Sequence, residues 1–233
     1  MKTLSIAILS SLLVLTGCGS SSDKVESDTT GDVTYRVTFT TQWNGTDFAT
    51  NYPSSAHWSP LVGTVHNEQV VFWAPNNQPA TAGIKSMAET GSTSALDTEI
   101  QAAKDAGYSQ GRIQASSVGS GSGSTSIEFS TSNTYPLLTL TSMIAPSPDW
   151  FVGVHGLALL DDQGQWIETQ TINLELYDAG TDNGVQFTSA NSDTSPQSLP
   201  ITILSSDRAD TDIEAGKHFS SGKYVGTLLI EKI

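Results

Sequence analysis

Val33-Thr34-Tyr35-Arg36-Val37-Thr38-Phe39-Thr40 alternates apolar and polar residues with a period of two. Successive side chains of an extended chain point to opposite faces. The pattern therefore predicts a half-buried strand with Val33, Tyr35, Val37 and Phe39 on the core side. Further along, residues 137–144 are apolar on both faces, which suits a central strand of a sandwich. Additional strands are expected at 70–73, 112–116, 126–130, 150–159, 166–176, 199–204 and 224–233. Turn residues separate them at short intervals, favouring antiparallel pairing over crossover helices. One segment reads as helix. It opens at Ser94-Ala95-Leu96-Asp97, places Leu96, Ile100 and Ala103 on one face, and stops at Gly107. The expected fold is all-β, an antiparallel β-sandwich with one short helix and no internal repeat.

The 233 residues carry ten Lys+Arg against 24 Asp+Glu, a formal net charge of -14. Nucleic acid and anionic lipid surfaces both demand a basic face, so neither is an expected partner. Charged residues make up only 15% and the chain holds five Trp, six Tyr and seven Phe, which argues for a packed core over a disordered chain. A single Cys excludes an internal disulfide.

That Cys closes the N-terminal segment. Residues 1–17 carry Lys2, then an apolar run ending in Leu15-Thr16-Gly17 before Cys18. The pattern describes an export signal too short to span a membrane comfortably, and its end resembles a bacterial lipobox. The resemblance implies cleavage before Cys18, lipidation of its thiol, and attachment to the cell envelope. Gly19 in place of Asp suggests the outer membrane by likeness to Gram-negative sorting. Acyl chains hold durably, since each buried CH₂ contributes about 0.8 kcal/mol. Residues 18–32 are small and polar and read as a flexible tether, with the folded domain spanning 33–233.

Several motifs carry no specific chemistry. The glycine-rich stretch 118–124 lacks the Lys-Ser/Thr and the following helix that a phosphate cradle requires, and reads as a loop. His57, His66, His155 and His218 form no i,i+4 pair, and no nucleophile elbow exists. Trp58 reads as core, with His57 and His66 satisfying local hydrogen bonds. The acidic stretches Asp161-Asp162 and Asp207 to Glu214 read as solvated loops.

Two loops say more. Pro146-Ser147-Pro148-Asp149-Trp150 fixes a carboxylate in a rigid turn between apolar strands, because proline restricts φ. Some thirty residues on, Tyr177-Asp178-Ala179-Gly180-Thr181-Asp182-Asn183-Gly184 holds two Asp among small residues. Such carboxylates can converge on a hard cation, which wants six to eight oxygens at about 2.3–2.6 Å. The spacing is not that of an EF-hand. Asx-turns that merely cap the loops are the rival reading, and the residues alone do not choose between them.

Around these residues the sequence resembles the spondin domain of extracellular matrix proteins. The likeness rests on Pro146 to Val154, on Trp166, and on Asp178-Ala179-Gly180-Thr181-Asp182-Asn183-Gly184-Val185. Upstream it includes His57 to Gly63, His66, and Gly83 to Gly91. It implies a sandwich similar to C2 domains with one Ca²⁺ at one end. Carried over by motif, the metal ligands are Asp149, Asp178 and Asp182, with the carbonyl of Ala179, while Glu128 resembles an acidic residue near the metal. The implied function is a lipid-anchored, calcium-binding module for adhesion or ligand binding, without enzymatic activity and with an unidentified envelope or extracellular partner. The alternative is a surface or periplasmic hydrolase using a metal-bound water, with His57 or His66 close to the aspartates. The thrombospondin-type repeats and cysteines of animal members are missing here, so their matrix and integrin partners are not implied.

Overall fold

The computed structural model describes residues 32–48, 51–204 and 224–233. The signal segment, Cys18, the tether up to residue 31, the acidic stretch from Asp207 to Glu214 and His218 lie outside the described residues. In chain order the elements are β1 (Val33–Gln42), β2 (His57–Trp58), β3 (Val62–His66), α1 (Ala82–Thr90), α2 (Ser94–Asp105), β4 (Ser109–Gln114), β5 (Ser122–Thr131), β6 (Leu137–Ala145), β7 (Trp150–Ala158), β8 (Thr169–Asn173), β9 (Leu176–Asp178), β10 (Thr202–Ile203) and β11 (Gly226–Lys232). All pairings between strands are antiparallel.

Two sheets face each other. One has the order β5-β1-β11-β8, the other β10-β9-β7-β6-β3-β4, with β2 added against β6. The alternation in β1 lands as its sequence requires, with Tyr35, Val37 and Phe39 fully buried between the sheets. They pack there with Trp43, Trp58, Leu138, Leu140, Trp150 and Leu228. Burying side chains of this size stabilises by roughly 1.5–3 kcal/mol each, so this layer supplies much of the cohesion.

The second sheet is covered on its outer face as well. α1 and α2 lie there, and Ile84, Met87, Leu96 and Ile100 pack against Val62, Phe72, Trp73, Met143, Phe151 and Tyr177. This is why β6 is apolar on both faces: it is the middle of three layers.

The helix at 94–105 ends as expected, with Gly107 at φ +76° after its last turn. Its N-cap is Thr93, whose hydroxyl donates to the Asp97 carboxylate at 3.1 Å. A second helix, α1, corrects the expectation of one. Thr81 caps it by accepting from the Ile84 N–H, and Gly91 closes it at φ +68°. Glu99 of α2 also accepts from the Gly83 N–H at 2.7 Å, so the second helix satisfies a free donor of the first.

Two strand expectations also change. Residues 166–176 are not one strand: β8 joins the first sheet and β9 the second, with Leu174 buried at the crossing. Residues 70–73 form no strand; Phe72 and Trp73 are buried under the helical layer. β3, which lacks any alternation because all five residues are buried, approaches β6 so closely that a Cβ on Gly63 would lie 1.9 Å from the Thr139 carbonyl.

Candidate functional site

The loop joining β6 to β7 and the loop leaving β9 meet at one end of the second sheet. Trp150 pairs with Asp178 across β7 and β9, which sets Asp149 beside Ala179, whose N–H donates to the Asp149 carbonyl at 3.1 Å. Ser147 shapes the first loop, its hydroxyl accepting from the Trp150 N–H at 3.1 Å. Trp150 itself is fully buried against Phe187 with ring centroids 5.2 Å apart, so the loop springs from fixed ground. In the second loop Gly180 sits at φ +71°, where a side chain is strained, and a Cβ there would lie 3.0 Å from the Leu199 carbonyl.

Asp149 is completely buried. Its Oδ2 accepts from the Thr181 N–H at 2.7 Å, the Asp182 N–H at 3.1 Å and the Thr181 hydroxyl at 3.3 Å. Its Oδ1 has no hydrogen-bond partner. Burial, and after it the neighbouring Asp178, push the Asp149 carboxyl up to about 7, against the pull of the hydrogen bonds on Oδ2. A buried carboxylate oxygen with no donor is costly, commonly by 1–3 kcal/mol or more for a charged group.

Asp178 and Asp182 are each less than one-tenth exposed. Asp178 Oδ1 accepts from the Gly180 N–H at 2.8 Å, and Asp182 Oδ1 from the Gly184 N–H at 2.6 Å. Both are Asx-turns, as the rival reading of the sequence expected. Asp182 Oδ2 accepts from the Ser192 N–H at 2.7 Å, tying in the next stretch of loop. Asp178 and Asp182 also wall a cleft of about 290 Å³, together with Gly180, Leu199, Pro200 and Thr202.

The structure thus joins Asp149, Asp178, Ala179 and Asp182 in one pair of interlocked loops. Their oxygen donors, carboxylate and carbonyl, are of the kind a hard cation takes, and the orphaned Oδ1 of Asp149 is the atom most in need of one. Among the described residues, no three carboxylate, imidazole or thiol side chains stand close enough to hold a metal by themselves. A cation here therefore needs backbone carbonyls or water to complete its shell.

Glu128 does not join the group. It lies on β5 in the other sheet, about half exposed, and pairs with Arg36 at 2.5 Å on the outward face. The register explains it: Arg36 and Glu128 are direct neighbours, and residues of that parity in β1 point to solvent.

Of the two histidines raised for a metal-bound water, His66 lies at the far end of the sheet, while His57 pairs with Ala145 at the end of β6 that leads into the Asp149 loop. His66 is buried among Thr139, Asn67 and Phe72 at the start of β6, the far end from Asp149. His57 is exposed, with Nδ1 against the Ser55 carbonyl. Trp58 is core, its indole donating to the Gly121 carbonyl at 3.0 Å. Asp161 is a capped surface turn that accepts from Gln163 and Gln165.

Sequence reasoning missed two contributors. Thr181 supplies two of the three donors to Asp149; its place between Gly180 and Asp182 in the motif was the available signal. Lys85 of α1 pairs with Glu89 and with Asp193, both at 3.3 Å. Asp193 bridges to Asp182, so the helical layer holds the rim of the loop. Nothing in the sequence joined residues so far apart.

Comparison with known proteins bears on this arrangement. The Spondin_N family model matches residues 33–214. The chain belongs to the Spondin_N family. It is similar to human Spondin-2, with 40% identity over 176 residues, covering 74% of this chain and 53% of that protein. Rat Spondin-2 gives 38% over the same length. Chicken Spondin-1 gives 30% over 211 residues, covering 87% of this chain and 26% of the relative. The chain thus spans about half the length of Spondin-2 and about a quarter of Spondin-1. Among the described residues, no helix is long and apolar enough to cross a membrane.

Proposed function

We propose that this Spondin_N domain is a calcium-binding adhesion or ligand-binding module, held on the outer membrane of a bacterial envelope by a lipid on Cys18, and not an enzyme. The observation that carries the metal reading is the fully buried Asp149, whose Oδ1 lacks a partner while Asp178 stands close by. Ca²⁺ would neutralise that pair and tie the two loops together. Asp149 and Asp178 would give carboxylate oxygens and Ala179 its carbonyl, and Asp182, whose oxygens hold the Gly184 and Ser192 N–H groups, would join as the loops tighten on the ion. The cleft bordered by Asp178 and Asp182 would then face a partner, with the exposed Val185 and Leu199 offering apolar contact. Cys18 and the apolar run before it support the anchor.

The deciding experiment is a thermal melt of residues 30–233 in chelator and with Ca²⁺ titrated in. Ligand at a hundredfold over its Kd adds about 2.7 kcal/mol, a shift of several degrees for a domain this size. The shift is expected to saturate and to shrink sharply in Asp178→Asn. A folded wild-type domain with no shift rejects calcium. An unchanged shift in Asp178→Asn rejects the ligand assignment.

A further inference from the structure

The two ordered sheets end in β5 and β8 and in β10 and β4, and β5 is the longest and most regular of these four edges. β10 has two residues and β8 five. β4 pairs with β3 through a register shift and is hooked to α2, with Arg112 on Asp97 at 2.8 Å and the Ser109 hydroxyl on the Ile100 carbonyl. Short length, irregular register and a covering helix are the usual ways a sheet protects an edge.

β5 has none of these protections and is twice the length of β8, the other regular edge. It runs ten residues, Ser122-Gly-Ser-Thr-Ser-Ile-Glu-Phe-Ser-Thr131, in unbroken register with β1. It contains no proline, no lysine and no bulge, and among the described strands it pairs with β1 alone. Every second residue therefore turns its N–H and C=O away from the sheet. On the inward face, Thr125 and Ile127 are only half-buried. The charge is also unusual for this chain. β1 and β5 together carry only Arg36 and Glu128, which neutralise one another, in a protein of net charge -14. Along this strip two copies can approach without the repulsion that the rest of the surface would impose.

We infer that β5 is the docking edge for a second copy of this chain, the two β5 strands pairing antiparallel about a two-fold axis at Ile127. Two four-stranded sheets would then become one of eight. The register follows from the side chains. Centring on Ile127 sets it against the partner's Ile127, Thr125 against the partner's Phe129, and Ser126 against the partner's Glu128. Aromatic residues pair well with β-branched ones across antiparallel strands. Centring on Ser126 would oppose Phe129 to Gly123 and lose that contact. Centring on Glu128 would oppose two carboxylates. The proposal does not rest on the calcium reading.

The test uses the full chain with Cys18→Ser, which removes the lone thiol, in sedimentation over a concentration series. A monomer–dimer equilibrium is expected. Ser126 is exposed, so its variants leave the core intact. Ser126→Glu places a carboxylate against Glu128 at two symmetric points and should weaken the dimer about fivefold or more, while Ser126→Lys should tighten it. Adding Ile127→Cys should give a rapid disulfide dimer under mild oxidation, whereas Ser124→Cys, which faces Ser130, should not. A chain that stays monomeric at every concentration overturns the proposal. So does a dimer indifferent to the charge at 126, or one cross-linked through 124 in preference to 127.

Discussion

His66 and Asp149 are buried to nearly the same degree in the same sheet, yet their surroundings differ in kind. The Asn67 carbonyl, 2.8 Å from Nδ1 of His66, can only accept, so the neutral ring carries its hydrogen on Nδ1. Nε2 then accepts from the Thr139 hydroxyl at 2.8 Å, whose oxygen accepts from the Gly156 N–H at 2.9 Å. Every polar atom of His66 is satisfied by the fold. Asp149 has three donors on one oxygen and none on the other. Burial alone says nothing about function; a buried carboxylate with a bare oxygen beside a second acid is what calls for a cation.

The largest effect expected from testing this contrast is at His66. His66→Ala removes both hydrogen bonds and leaves a cavity, and should cost about 3 kcal/mol in denaturant unfolding. The loss should be the same with and without Ca²⁺, because β6 separates the two ends by roughly 25 Å at 3.3 Å per residue. A loss confined to the calcium form would break the distinction.

Asp149→Asn should do the reverse. The Ca²⁺-dependent gain of about 2.7 kcal/mol at a hundredfold over Kd should vanish, while the metal-free domain becomes more stable, on the order of 1 kcal/mol, because the neutral amide no longer opposes Asp178. Equal destabilisation in both forms would make Asp149 as structural as His66.

Acidity separates the two residues further. Asp149 is raised to about 7 in the fold from 3.8, so between those values the folded state holds a proton that the unfolded chain has released. Metal-free stability from this group therefore falls as pH rises from about 4 to 7. Burial lowers His66 below its ordinary 6.5, so the unfolded chain takes up a proton first and stability is lost as pH falls through that value. In chelator, melts across this range should show the opposing trends, and Asp149→Asn should remove the decline toward neutrality while leaving the acid loss.

The smallest effect concerns Glu128. Arg36→Gln breaks an ion pair whose side chains are about half exposed, worth less than about 1 kcal/mol. Isothermal titration should find Ca²⁺ affinity unchanged. A clear weakening would return Glu128 to the metal site.

Much of this fold is legible in its residues, and the gaps have physical causes. β1 shows clean alternation because one face meets the core and the other meets water. β6 and β7 are legible as long apolar strands. β3 is not, since burial of all five residues erases the alternation, and Gly63 and Thr64 look like a turn. α1 hides because Gly83 and Ser86 dilute its apolar face. The aspartate motifs could be found because both loops carry Pro or Gly beside the acids. Glu128 was carried by likeness alone, and its strand parity, known only once β1 and β5 are paired, turns it to the outside. The orphaned oxygen of Asp149 has no sequence signal at all, being a property of three-dimensional satisfaction.

Strand direction has a further consequence. β1 begins at Val33, opposite Thr131 at the end of β5, and a short turn then leads to the start of β6. β6 runs from there the length of the second sheet toward Asp149. The chain before Val33 therefore joins the domain at one pole and the aspartate cleft opens at the other. Whatever joins the domain through the chain before Val33 meets it about the length of a β-strand from the cleft, and leaves the mouth of the cleft unobstructed.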